Sequence, residues 1–175
     1  YMNIVVCIKQ VPDTKGGVKF NPDGTLDRSA MMAIMNPDDK GGLEFALQLK
    51  DQYGAHVTVI TMGPPQAEAI LREAYAMGVD RAILLSDRKF GGADTLATSN
   101  TIAAALRSLE FDLLITGRQA IDGDTAQVGP QIAEHLDLPQ VTYVESLTFD
   151  GNKTFTVKKS MEDGYQMVQV DTPCV

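Results

Sequence analysis

The strongest constraint on this chain is an alternation of short β-branched runs with stretches whose apolar residues recur three and four positions apart. Asn3–Ile8 reads Asn-Ile-Val-Val-Cys-Ile, a run that suits a strand buried on both faces. After Lys9 the pattern is less regular, and Asn21-Pro22-Asp23-Gly24 predicts a turn at the tip of a small hairpin or excursion. Asn36-Pro37 predicts a helix start, with Asn as N-cap and Pro in the first helical position. Leu43, Ala46 and Leu47 give that helix its stripe, and Gly54 ends it.

The unit then recurs. Val57–Met62, Ala82–Leu85 and Asp112–Thr116 read as strands. The helical stripes between and after them are Ala67, Ile70, Leu71 and Ala74, closed by Gly78; then Ile102, Ala105, Leu106 and Leu109, with Asp94 as N-cap; then Val128, Ile132 and Leu136, with Gly129-Pro130 in the first turn. Four such alternations predict an α/β fold: a mostly parallel, doubly wound, Rossmann-like sheet with helices on both faces. The end differs. Val141–Phe149, Thr154–Lys159 and Gln166–Val170 read as strands joined by turns at Asp150-Gly151-Asn152 and near Asp163-Gly164, a C-terminal antiparallel extension.

Length and charge narrow the classes. With 175 residues, 44% of them hydrophobic, the chain suits one domain, residues 1–175, with a core of its own. The formal net charge of -8 argues against nucleic acid and against an anionic membrane surface, both of which reward a basic face. No apolar run approaches the roughly 20 residues of a membrane span. Cys7 and Cys174 lack metal-ligand or redox spacing and read as reduced thiols of a cytoplasmic protein. The chain ends at Val175 inside an apolar segment without a capping signal, so it reads as a piece of something longer.

In open α/β sheets, ligands bind beyond the carboxyl ends of the strands, where the strand order reverses. The loops leaving Cys7, Met62, Ser86 and Thr116 are therefore the candidates. The stretch Thr116-Gly117-Arg118-Gln119-Ala120-Ile121-Asp122-Gly123-Asp124-Thr125-Ala126-Gln127 is the least ordinary. Gly117 and Gly123 permit close backbone approach, Arg118 suits a phosphate or a ring face, and Ile121 suits a flat base. Asp122 or Asp124 suits a ribose hydroxyl or an adenine amino group. The same stretch is also compatible with a solvated turn and a capped helix. Gly91-Gly92-Ala93-Asp94-Thr95-Leu96-Ala97-Thr98-Ser99, glycines leading into a hydroxyl-rich helix, suits a pyrophosphate or is an ordinary cap.

The chain has no Gly-x-Gly-x-x-Gly, no Walker lysine loop and no nucleophile elbow. His56 and His135 have no partner nearby in sequence and read as structural. No side chain is assigned as acid, base or nucleophile. The residues alone point to adenine-nucleotide binding. They leave open a universal-stress-type ATP-binding regulatory module and, less favoured without the fingerprint, a nicotinamide-dependent dehydrogenase.

A set of ordered motifs goes further. Val6-Cys7-Ile8-Lys9-Gln10-Val11-Pro12-Asp13, Asn36-Pro37-Asp38-Asp39, Met62-Gly63-Pro64, Ala76-Met77-Gly78-Val79-Asp80, Ser86-Asp87-Arg88 and Gly117-Arg118-Gln119-Ala120-Ile121-Asp122-Gly123-Asp124 resemble the β-subunit of electron transfer flavoproteins. The resemblance covers nearly the whole chain. It implies an α-subunit partner carrying FAD in a mobile domain, and a β-subunit site holding AMP or a second FAD. It implies nucleotide contacts from Cys7, Asn36, Asp39, Met62 and the segment Gly117 to Val128, with Asp94, Thr95 and Thr98 near the diphosphate of a second FAD. The run Ala120-Ile121-Asp122-Gly123-Asp124-Thr125-Ala126-Gln127-Val128 resembles the two-FAD, electron-bifurcating members; AMP-type members usually carry a bulkier acidic residue where Gly123 stands. That type implies electrons from NADH, passed to the α-subunit flavin and to ferredoxin or flavodoxin, with an acyl-CoA-type dehydrogenase as partner. Asp38-Asp39 departs from the family's usual Phe-Asp. The family's C-terminal segment, which wraps the α-subunit, is not found in these 175 residues.

Overall fold

Four parallel strands in the spatial order β5-β4-β1-β6 form the centre of the molecule. The computed structural model describes residues 2–12, 22–24, 33–62, 67–85, 95–107, 109–117, 132–134, 136–141, 144–151 and 153–175. In chain order the elements are β1 (Asn3–Cys7), β2 (Gln10–Pro12), β3 (Ala33–Met35), α1 (Pro37–Tyr53), β4 (His56–Met62), α2 (Glu68–Met77), β5 (Arg81–Leu85), α3 (Thr95–Leu106), β6 (Leu113–Ile115), β7 (Val144–Phe149), β8 (Thr154–Met161) and β9 (Gly164–Asp171). β1 pairs in parallel with β4 on one side and with β6 on the other, and β4 with β5.

β1 explains why its sequence is apolar without alternation. Ile4 and Val6 face a core shared with Leu43, Ala46 and Leu49 of α1 and Ile70, Leu71 and Ala74 of α2. Val5 and Cys7 face a second core with Ile102 and Leu106 of α3 and with Ile132. A strand covered on both faces has no position where a polar residue is favoured. The two cores on opposite faces make the sheet doubly wound, as expected.

The boundaries follow local chemistry. α1 begins after Asn36 with Pro37 in its first turn, but the Asn36 side chain makes no capping bond. The first intrahelical bond runs from Lys40 N–H to the Asn36 carbonyl at 3.0 Å. Gly54 ends α1 in the left-handed region at φ 70°, its N–H bonding the Lys50 carbonyl. α3 stops at Leu106, short of the expected Leu109, yet Leu109 still packs on the same core. β6 is shorter than expected, Leu113–Ile115, although Asp112 N–H still bonds the Asn3 carbonyl of β1 and its own carbonyl accepts from Cys174 N–H. Val141 lies outside β7, and its N–H is taken by the Val175 carbonyl.

The expected excursion after Lys9 is seen at its base, where β2 and β3 pair antiparallel, and at the turn, where Gly24 has φ 87°. The last three strands form a separate antiparallel sheet in the order β7-β8-β9 rather than a continuation of the parallel one. It is anchored by Phe149, Phe155 and Val157, which enter the first core. Phe149 stacks at 4.7 Å on Phe155 and meets Tyr53 edge-on at 5.2 Å. The chain then returns to the parallel sheet, where Cys174 bridges Leu113. Among the described residues, no helix is long and apolar enough to cross a membrane.

Candidate functional site

The chain lays β4 and β5 down on one side of β1, then crosses by α3 to place β6 on the other. The reversal sits between β1 and β6, so their carboxyl ends open the crevice where such folds take ligands. Three separated pieces of sequence meet there. The loop leaving β1 is clasped on both sides of Lys9: its N–H donates to Asp39 Oδ2 at 2.8 Å, and its carbonyl accepts from Asn36 N–H at 2.8 Å. Asn36 and Asp39 are both buried, at 1% and 6% exposure. A carboxylate accommodated at that depth needs donors around it, and the Lys9 amide is one.

Gly117, just beyond β6, completes the meeting. A Cβ there would overlap Asp39 Oδ1 and stand 3.0 Å from Asp39 Cγ. The backbone of the third loop thus passes directly against the buried carboxylate, an approach open to glycine alone. Gly42 does the same one turn further along α1, where a Cβ would lie 2.7 Å from Ile115 Cγ2. Sequence reasoning missed Gly42. The available signal was a glycine inside a helix interior, which costs about 1 kcal/mol relative to alanine and so asks for a packing reason.

Cys7 ends β1 and is buried. Burial first, and the Asp39 carboxylate second, push its thiol far above the ordinary range. It stays protonated and offers no nucleophile. Met62 closes β4 and is half-buried at the same edge of the sheet. Thr95 and Thr98 fall in the first turns of α3, on the other face of the sheet. Asp94 and residues 118–128, which carry Arg118, Gln119, Ala120, Ile121, Asp122, Gly123, Asp124, Thr125, Ala126, Gln127 and Val128, lie outside the described residues. The described part therefore brings together Cys7, Asn36, Asp39 and Gly117, with Met62 at the edge.

Chemically this is an acceptor-rich, tightly packed base. As a carboxylate, Asp39 accepts hydrogen bonds and donates none.

Residues 23–175 match the electron transfer flavoprotein domain, and the chain belongs to that family. It is 64% identical over 173 residues to the electron transfer flavoprotein subunit beta of Clostridium acetobutylicum, covering 98% of this chain and 66% of that protein. It is 57% identical over 177 residues to the acryloyl-CoA reductase electron transfer subunit gamma of Anaerotignum propionicum, covering 99% of this chain and 66% of that one. It is 55% identical over 177 residues to the caffeyl-CoA reductase-Etf complex subunit CarD of Acetobacterium woodii, covering 99% and 67%. The chain thus spans about 66% of the length of the first of these relatives.

Proposed function

We propose that the protein acts as the β-subunit of an electron transfer flavoprotein of the two-flavin, electron-bifurcating type. In this reading the β1/β6 crevice holds FAD. Electrons enter from NADH, one passing toward the α-subunit flavin and one toward a low-potential acceptor such as ferredoxin or flavodoxin. An acyl-CoA-type dehydrogenase or reductase takes the α-subunit branch. The names of two relatives, electron transfer subunits associated with acryloyl-CoA and caffeyl-CoA reductases, support that partner class.

The observation that carries the proposal is the convergence of Lys9, Asp39 and Gly117 at the switch point. The bound flavin supplies hydride acceptance and one-electron transfer. The chain supplies position. Asp39 fixes the β1 loop through Lys9 N–H. Gly117 lets the β6 loop run close over the same point. Cys7, held as a neutral thiol, lines the crevice without taking part in proton or electron transfer. Gly123, by resemblance, leaves room for a flavin where AMP-type members carry a larger side chain. The localisation that goes with this reading is cytoplasmic. Membership of the flavoprotein family favours it over a universal-stress-type module.

The test is a nucleotide count. The protein is co-expressed with its α-subunit, the complex is denatured, and released FAD and AMP are quantified. Two FAD and no AMP per heterodimer are expected. One FAD and one AMP would make the chain a scaffold in a single-flavin carrier.

A further inference from the structure

The inward face of β4 carries Val57 and Val59, both fully buried, and then Thr61 at 2% exposure. A third valine would fit that series. Instead the position holds a hydroxyl, and Thr61 Oγ1 is buried without a hydrogen-bond partner. An unsatisfied buried hydroxyl is costly, and native structures hold few of them without a reason. A serine or threonine in a helix would turn its hydroxyl to a carbonyl one turn back. A strand offers no such internal acceptor.

Its place suggests the reason. Cys7 pairs with Ile60, and Ile8 N–H donates to the Ile60 carbonyl at 2.9 Å, so the next step along sets Ile8 beside Thr61. Ile8 is followed at once by Lys9, the residue clasped by Asn36 and Asp39. Thr61 also immediately precedes Met62, the last residue of β4. Alternation puts Thr61 on the face that carries Val57, Val59, Ile8 and α1, the helix that bears Asp39. The orphan hydroxyl therefore sits at the carboxyl edge of the sheet, one residue from the clasp at the crevice.

We infer that Thr61 is a further positioning residue of the nucleotide site, its hydroxyl hydrogen-bonding the adenosine part of an adenine nucleotide seated in the crevice at the carboxyl end of β1. This rests on the reading of the crevice as an adenine-nucleotide site. The ligand supplies the partner that the protein withholds. A hydroxyl both donates and accepts, so Thr61 can pair with either kind of group on a ribose or adenine edge.

The test uses AMP as the probe, because AMP is the part common to both candidate cofactors. AMP is titrated calorimetrically into the nucleotide-stripped complex with the α-subunit, for wild type, Thr61→Val and Thr61→Ser, and each is melted without nucleotide. Thr61→Val keeps the shape and removes the hydroxyl; Thr61→Ser keeps the hydroxyl. Thr61→Val is expected to bind AMP about 5–10-fold more weakly, the worth of one neutral hydrogen bond near 1 kcal/mol. Thr61→Ser is expected to bind within about threefold of wild type, and Thr61→Val to melt at or above the wild-type temperature without nucleotide. Equal AMP affinity in wild type and Thr61→Val overturns the inference and leaves the nucleotide site standing. So does a Thr61→Val that melts well below wild type, since the hydroxyl then already has a protein partner. A wild-type complex that binds neither AMP nor FAD at this subunit overturns the site itself.

Discussion

Gly117→Ala is the perturbation that most directly probes how the crevice is built. The added Cβ would overlap Asp39 Oδ1 and stand 3.0 Å from Asp39 Cγ and 3.3 Å from its backbone nitrogen. Asp39 has nowhere to retreat, being only 6% exposed, and its other oxygen is held by Lys9 N–H at 2.8 Å. Either the carboxylate swings and surrenders that bond, or the β6 loop withdraws from α1. Losing a hydrogen bond to a charged group costs about 1.5–3 kcal/mol. Overfilling a packed site costs about 1–3 kcal/mol more. Stiffening the unfolded chain by removing a glycine returns about 0.4–1 kcal/mol. The net loss is about 2–5 kcal/mol, and at this chain length it lowers the melting temperature by about 5–15 °C. Circular dichroism melts of the nucleotide-free protein read it. The paired control is Asp39→Ala, which removes the colliding oxygens; in that background Gly117→Ala should cost less than about 1 kcal/mol, and the difference is the coupling between the two loops. A Gly117→Ala protein that melts within about 2 °C of wild type, or one whose loss is undiminished in the Asp39→Ala background, refutes the close approach.

Three further outcomes are expected. Asp80 accepts from Lys50 Nζ at 2.8 Å and from Val57 N–H at 2.9 Å, and these bonds, Lys50 first, hold its carboxyl below the ordinary value of 3.8. A lowered folded value stabilises above pH 3.8 and loses that contribution as pH falls through it, so urea midpoints between pH 3 and 7 should fall less steeply on the acid side for Asp80→Asn than for wild type. Burial, then the charges of Asp112 and Asp171, push the Cys174 thiol up to about 11, and Cys7 is raised further. Raised thiol values stabilise fully below the ordinary 9.0 and are lost as pH climbs through the folded values, so the fold should weaken above pH 9, and a thiol reagent at pH 8 should modify both cysteines only after denaturation. Phe155 is 1% exposed and stacks on Phe149, so Phe155→Ala should cost about 3–5 kcal/mol by denaturant titration and loosen the antiparallel sheet first.

Much of the fold was legible because its determinants are local. The runs at Asn3–Cys7 and His56–Met62 are β-branched, and the Ile70, Leu71 and Ala74 stripe has helical spacing, so strand and helix types needed no tertiary knowledge. What escaped was set by distant partners. Asn36 is the N-cap its composition predicts, but its side chain makes no capping bond and its backbone N–H goes to the distant Lys9 carbonyl. Val141 belongs to an apolar run but is claimed by Val175. The final strands read as an antiparallel extension, and they form one; that their phenylalanines dock it onto the first core was set by residues distant in sequence.

The site divides along the same line. Asp39 and Gly117 were singled out as nucleotide contacts, one by resemblance and one for its lack of a side chain. Their contact with each other joins positions 78 residues apart (117 minus 39), and no spacing rule reveals it. Lys9 enters the clasp through its main chain, so its identity carries no signal there. Thr61 hides for the opposite reason: among valines on a strand a threonine looks like one more β-branched residue, and only its missing partner sets it apart. A site that works by position rather than by reactive side chains places its information in backbone contacts, absent Cβ atoms and an unsatisfied hydroxyl. Among the described residues, that is the pattern a cofactor-carrying subunit calls for, since the cofactor brings the chemistry and the protein brings position.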